Sequence, residues 1–134
     1  MDNCIFCKLI ANQIPSYTLH EDDSTRAFLD IMPSAPGHTI VILKRHGLSI
    51  HDYEEYELGS VMNIVQKLAK KIEKSLKCDW ISIGINHLEP TGVPHLHVHI
   101  IPRWKNDSGG AIQSIVKNKP KEQLEVIADK IKKS

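Results

Sequence analysis

The chain has 134 residues, 17 basic and 16 acidic side chains, a formal net charge of +1 and 41% hydrophobic residues. That length suits a single domain, 1–134, with a core large enough to do without disulfide staples. The near balance of charge speaks against a dedicated nucleic-acid or membrane-surface binder, and no run approaches the ~20 apolar residues of a membrane span.

The N-terminus, with Asp2 and Cys4 and neither a basic start nor an apolar core, is unlike a secretory leader. Three cysteines, an odd number, fit a reducing cytosol better than an oxidising compartment, so a cytoplasmic protein is expected. Cys4-Ile5-Phe6-Cys7-Lys8-Leu9-Ile10 predicts about two helical turns, broken by Ile14-Pro15. The Cys4-x-x-Cys7 pair has three readings. A redox pair would sit between a strand and a helix, and no strand precedes residue four. Two buried cysteines acting as small hydrophobes is the plain alternative. Half of a structural zinc site is preferred, because this spacing recurs in such sites. Two further ligands are then needed, and spacing alone does not choose among His20, His46 and His51.

Tyr17–Glu21, a polar turn at Asp22-Asp23-Ser24, and Thr25–Asp30 read as a β-hairpin. Met32-Pro33-Ser34-Ala35-Pro36-Gly37 is a loop, and Thr39–Leu43 is a buried strand of β-branched and aliphatic residues. From about Tyr53 to Leu76 runs the main helix, with Leu58, Val61, Met62, Val65, Leu68, Ala69, Ile72 and Leu76 recurring at helical spacing. Trp80–Ile85 alternates as a strand, followed by a loop from Asn86 to Pro94. The tail holds a polar loop at 105–110, an ambiguous stretch at 111–116 and a helix over Lys121–Lys132 with Leu124, Ile127, Ala128 and Ile131 on one face. These elements make an α+β architecture, an antiparallel sheet with a long helix on one side.

Between the last strand and the tail lies His95-Leu96-His97-Val98-His99-Ile100-Ile101-Pro102. Strict alternation predicts a strand with His95, His97 and His99 on one face, Leu96, Val98 and Ile100 in a core behind them, and the proline ending the run. Histidines two apart on a strand stand roughly 6.6 Å apart, so one metal cannot take all three. At most two share one task. His95 is the member too far from His99 to join it.

This run, with Pro102-Arg103 behind it, resembles the signature of the histidine-triad (HIT) family of nucleotide-binding hydrolases and transferases. Phe28-Leu29-Asp30-Ile31 and Ala35-Pro36-Gly37-His38 resemble the N-terminal half of the same family, so the resemblance covers about Cys4 to Trp104. It implies a HIT-like fold with core about 4–104, an extension at 105–134 and a C-terminal helix, and it implies a homodimer. It implies that Cys4, Cys7, His46 and His95 surround a structural zinc ion, since four protein ligands leave no position for water. It also implies that Asp30 bonds the ribose hydroxyls and that Ile5, Phe6, Leu9, Phe28 and Ile31 clasp the base of an AMP-like purine nucleotide. Asn86 would then lie near sugar and phosphate. His97 is the implied nucleophile at the α-phosphorus, flanked by His99 and His38. One departure stands out: the family's Gly-Gln pair is absent from a loop about two residues short, which here reads Thr91-Gly92-Val93-Pro94. The activity implied is hydrolysis of nucleoside phosphoramidates or dinucleoside polyphosphates through a nucleotidyl-histidine. A nucleotide-binding scaffold with incidental turnover, and a zinc hydrolase using His97 and His99 as ligands, are the alternatives.

Overall fold

The computed structural model describes residues 3–134; Met1 and Asp2, at the end read as unlike a secretory leader, lie outside the described residues. Its centre is a five-stranded antiparallel sheet in the order β1-β2-β3-β5-β4, formed by β1 (Thr18–Glu21), β2 (Thr25–Leu29), β3 (Thr39–Leu43), β4 (Trp80–Gly84) and β5 (His97–Arg103). The β1–β2 hairpin turns at Asp22, whose carboxylate accepts the backbone N–H groups of Ser24 and Thr25. Against the effect of partial burial, His20 on the other oxygen and these turn bonds hold the acid well below the usual carboxylate range.

Helix α2 (Glu55–Leu76) covers one face of the sheet. Glu54 and Glu57 form a capping box at its start, and Lys77 ends it in the left-handed conformation at φ 55°. Val61, Ile64, Val65, Leu68 and Ile72 bury against Ala27, Val41, Leu43, Val98 and Ile100. Each such aliphatic side chain contributes about 1.5–3 kcal/mol by leaving water. The buried stripe differs from the predicted one: Met62 is 51% and Leu76 39% exposed, while Ile64 is in the core. At 3.6 residues per turn Met62 falls on the flank, and its apolar character does not move it inward.

Helix α1 (Ile5–Ile10), with Cys4 just before it, covers the other face, where Cys4, Phe6 and Leu9 meet Phe28, Ile40 and Ile42. The helix stops before Ile14-Pro15, at Asn12, whose φ of 58° takes the backbone out of the helical region. Buried Arg26 fixes the next segment by donating to the Leu9 carbonyl, Asn12 Oδ1 and the hydroxyls of Ser16 and Thr18. This clamp places Ile14, Pro15 and Ser16 on the rim of a cavity.

The alternation of β5 is as expected, with Val98 and Ile100 buried under α2 and His97 and His99 on the opposite face. Two details are corrected. His95 precedes the strand, because its N–H donates to the Val93 carbonyl and Leu96 N–H to that of Gly47, which turns the chain before the ladder begins. Pro102 does not end the strand, which runs on to Arg103. The Arg103 carbonyl accepts from Asp79 N–H on the β4 side, so the Pro102 nitrogen faces the β3 side, where pairing has already stopped at Ile100. No ladder bond is lost there. At the C-terminus, a short turn of 3-10 helix (Ile112–Ser114) precedes α3 (Leu124–Lys132), whose Leu124 and Ile131 are both 71% exposed. Among the described residues, no helix is long and apolar enough to cross a membrane.

Candidate active site and metal centre

The ladder sets the histidines beside their neighbours: His97 lies across from Ile42 and His99 across from Ile40 on one side and Gly84 on the other. Both rings line a cavity of about 380 Å³ that opens between α1 and the sheet. Its apolar wall includes Ile5, Phe6, Leu9, Phe28 and Ile31, the whole set singled out for the base. Asp30 and Asn86 also line it, so seven of the proposed nucleotide contacts converge on one space with the two triad rings. Sequence reasoning missed Ile14, Ile40, Glu89 and Val93, which complete the wall from separate segments and carry no pattern that marks them.

Hydrogen bonds to backbone groups fix the ring tautomers, because a carbonyl can only accept and an N–H can only donate. His97 Nδ1 lies 2.7 Å from the His95 carbonyl and therefore carries the proton. In the neutral ring, Nε2 is then left with the bare lone pair. At His38 the order is reversed: Ser34 N–H donates to Nδ1 at 3.0 Å, so the neutral ring is protonated at Nε2. That Nε2–H donates to His99 Nδ1 at 2.9 Å, leaving His99 with its own proton on Nε2, beside the cavity. Burial pushes His99 down to about 4, helped by the nearby His97 and His38 rings, and burial also lowers His38 against the pull of Asp30. Both rings are neutral at pH 7, as this chain of donors requires.

Asp30 divides its oxygens. Oδ1 accepts Met32 N–H at 2.9 Å, and Oδ2 lies 3.6 Å from His38 Nε2. Phe6 packs edge-on against His97 with ring centroids 5.2 Å apart, and against His95 at 6.0 Å.

Behind Phe6 lies a second cluster. Cys4, Cys7, His46 and His95 bring one donor atom each within 4.8 Å of one another. Cys4 Sγ is 3.5 Å and Cys7 Sγ 3.7 Å from His95 Nδ1, and Cys7 Sγ is 3.3 Å from His46 Nδ1. A tetrahedral ion with bonds of ~2.0–2.3 Å separates its ligands by roughly 3.3–3.8 Å. The fit is close. His95 Nε2–H donates to the Leu43 carbonyl at 2.7 Å, which leaves Nδ1 unprotonated toward the thiols and supplies the outer bond that metal-ligating imidazoles need. These four residues could hold a metal ion, and the structure chooses His46 where spacing could not. His20 is paired with Asp22, and His51 lies against His87. His97 belongs to neither metal-type cluster; the other joins Asp30, His38 and His99.

An antiparallel α+β sheet whose fifth strand carries alternating imidazoles at the mouth of an apolar cavity defines the histidine-triad class. The HIT domain family model matches residues 11–106, and the chain belongs to the HIT family. It is 43% identical over 118 residues to an uncharacterized HIT-like protein of Borreliella burgdorferi, covering 82% of each chain. It is 40% identical over 108 residues to the adenosine 5'-monophosphoramidase HNT1 of Saccharomyces cerevisiae, covering 79% of this chain and 66% of that one. Among solved structures, SMU.412c from Streptococcus mutans superposes with a TM-score of 0.87 at 33% identity, covering 99% of this chain and 85% of the other.

Proposed function

We propose that this protein is a nucleotide hydrolase that cleaves nucleoside phosphoramidates, or dinucleoside polyphosphates, at the α-phosphorus through a covalent intermediate on His97. The observation that carries the reading is the 2.7 Å bond from His97 Nδ1–H to the His95 carbonyl, which presents a bare Nε2 to a cavity of nucleotide size. The yeast relative's phosphoramidase name supports the same chemistry. The base lies among Ile5, Phe6, Leu9, Phe28 and Ile31, Asp30 accepts hydrogen bonds from the ribose hydroxyls, and Asn86 reaches sugar and phosphate.

The Nε2 lone pair of His97 forms a bond to phosphorus as the bond to the leaving nitrogen breaks. The electron pair stays on that nitrogen, which takes a proton from water and departs as an amine; with a dinucleoside polyphosphate the pair stays on the bridging oxygen instead, and a phosphate departs. His99 Nε2–H donates to the phosphoryl group, where charge develops, and His38 holds His99 in that tautomer. Water then attacks phosphorus, the pair returns to His97, and a proton is released to solvent. A preorganised donor of this kind commonly contributes a few kcal/mol to the transition state.

Cys4, Cys7, His46 and His95 are proposed to hold zinc in a structural role, tying the N-terminus to the strand that carries the nucleophile. A homodimer is proposed through β4, an edge strand whose Trp80 and Ile83 are 44% and 40% exposed. The free Cys4, Cys7 and Cys78 suit a reducing cytoplasm.

Mass spectrometry of enzyme quenched during turnover of adenosine 5′-phosphoramidate tests the central claim. An added AMP mass on the peptide containing His97 is expected. Turnover without that adduct, abolished by a chelator and restored by metal, would instead favour a catalytic ion on Asp30, His38 and His99, the reading their proximity suggests. Nucleotide binding with no turnover would leave a scaffold.

A further inference from the structure

We infer that His87 is a positioning residue for nucleotide binding. Its ring latches the loop between β4 and β5 to the turn ahead of α2, and so holds Asn86 on the wall of the nucleotide cavity. This role rests on the nucleotide reading of that cavity. Asn86, Glu89 and Val93 reach the cavity from this loop, the stretch that departs from the family pattern. Val93, at its far end, packs against the Phe6 cluster. The residues before it have little else to keep them in place.

Burial does not hold them, because every residue from Asn86 to Gly92 is exposed. Close packing does not hold them either. Leu88 and Pro90 of the loop share a space of about 170 Å³ with Leu48 and Leu96 of the body. Internal bonds shape the loop without fastening it: Glu89 N–H donates to the Asn86 carbonyl, and Thr91 N–H and Oγ1–H donate to Glu89 Oε1. Among the described residues, the one hydrogen bond that leaves 86–92 runs from Ile50 N–H to His87 Nε2, at 3.1 Å.

The other partner is fixed. Ile50 opens a short 3-10 turn (Ile50–Asp52), and the first N–H groups of such a turn find no carbonyl within it. Asp52 Oδ2 takes those of Leu48 and Ser49 at 2.8 Å each, and Ser49 Oγ takes that of His51 at 3.2 Å. Ile50 N–H is the donor that remains, and His87 is its acceptor. An N–H can only donate, so the neutral His87 ring carries its proton on Nδ1. His51 packs edge-on against that ring with centroids 5.5 Å apart, which sets its plane. Ring and turn thus close on each other directly beside Asn86.

The test measures AMP affinity of the full-length protein by titration calorimetry, with amide hydrogen exchange beside it. In His87→Ala, which removes the acceptor, Kd for AMP is expected to rise about threefold to tenfold, the scale of one neutral hydrogen bond. In His87→Gln, whose Oε1 takes the place of Nε2, Kd is expected to stay within about twofold of the parent. Exchange in His87→Ala should quicken at Ile50 and across 86–92 and stay unchanged in β5. With adenosine 5′-phosphoramidate, KM should rise in step with Kd while kcat changes less than about twofold, because other bonds hold His38, His97 and His99. Unchanged affinity in His87→Ala, a Gln variant as weak as the Ala variant, a fall in kcat with KM unmoved, or faster exchange spreading into β5 would each overturn the latch and leave the nucleotide reading intact. A parent protein that binds no AMP would remove that reading and the latch with it.

Discussion

His95 serves two neighbours with two different atoms: its ring Nδ1 faces Cys4 and Cys7 Sγ at 3.5 and 3.7 Å, and its backbone carbonyl accepts His97 Nδ1–H at 2.7 Å. The link between the metal-type cluster and the proposed nucleophile thus runs through one residue just ahead of β5. Phe6, in edge contact with both rings, fills the space between them.

Loss of the metal is therefore expected to reach the chemistry. Cys7→Ser should reduce bound metal from about one ion per chain to below about a tenth of that, and lower the thermal midpoint by roughly 10 °C, the shift that about 2–3 kcal/mol produces in a chain of this size. Because the His95 carbonyl then loosens, kcat should fall while KM changes less than about threefold. Elemental analysis, calorimetry and steady-state kinetics check the three parts. Metal-free protein with unchanged midpoint and kcat would contradict the coupling.

His97→Ala removes the lone pair at phosphorus. Turnover should drop about a thousandfold or more, with AMP affinity, read by titration calorimetry, within about threefold of the parent, as expected when a covalent step is lost and ground-state binding kept. Hydrolysis near the parent rate would exclude this ring as the nucleophile.

Stability should depend on pH through His99. Its folded value is pushed down to about 4, chiefly by burial, while in the unfolded chain it returns to an ordinary value of about 6.5. Between those limits the unfolded chain binds more protons than the folded one, so stability rises with pH across the window. The contribution is complete above about 6.5 and is lost as pH falls toward 4; His38, also lowered by burial, acts in the same direction. Thermal midpoints measured from pH 7 to pH 4 should fall, and His99→Gln should flatten the slope. An equal slope in the variant would assign the effect to other groups.

Asp30→Ala is expected to raise KM for a ribonucleotide substrate about tenfold or more, since a carboxylate accepting from a hydroxyl contributes about 1.5–3 kcal/mol. The same change should matter much less for the 2′-deoxy analogue. A KM that rises equally for both sugars would place Asp30 as a support for Met32 N–H and His38 alone.

Much of this arrangement was legible in the residues. Alternation in 95–101 located β5, and the hairpin, β3, β4 and α2 follow from their periods and turn residues. Position along the chain misled where long-range bonds decide: His95 is drawn off the strand by Val93 and Gly47, and Pro102 stays on it because β3 has ended. The choice of His46 over His20 and His51 needed three dimensions, since only folding brings residue 46 beside residue 7. Ring tautomers were out of reach for the same reason. They depend on a carbonyl at 95 and an N–H at Ser34, backbone groups that no side-chain pattern reveals. Nor did anything mark Arg103 as a clamp, whose Nε and Nη2 donate to Asp107 and whose Nη1 donates to the Gly110 carbonyl, fastening the chain after β5 onto the sheet.

That clamp has a practical corollary for engineering. Everything proposed to break the bond lies at or before residue 99, whereas the stretch beyond Gly110 is fastened on from outside by one guanidinium. Residues 111–116 should thus tolerate exchange, with the catalytic apparatus inherited unchanged.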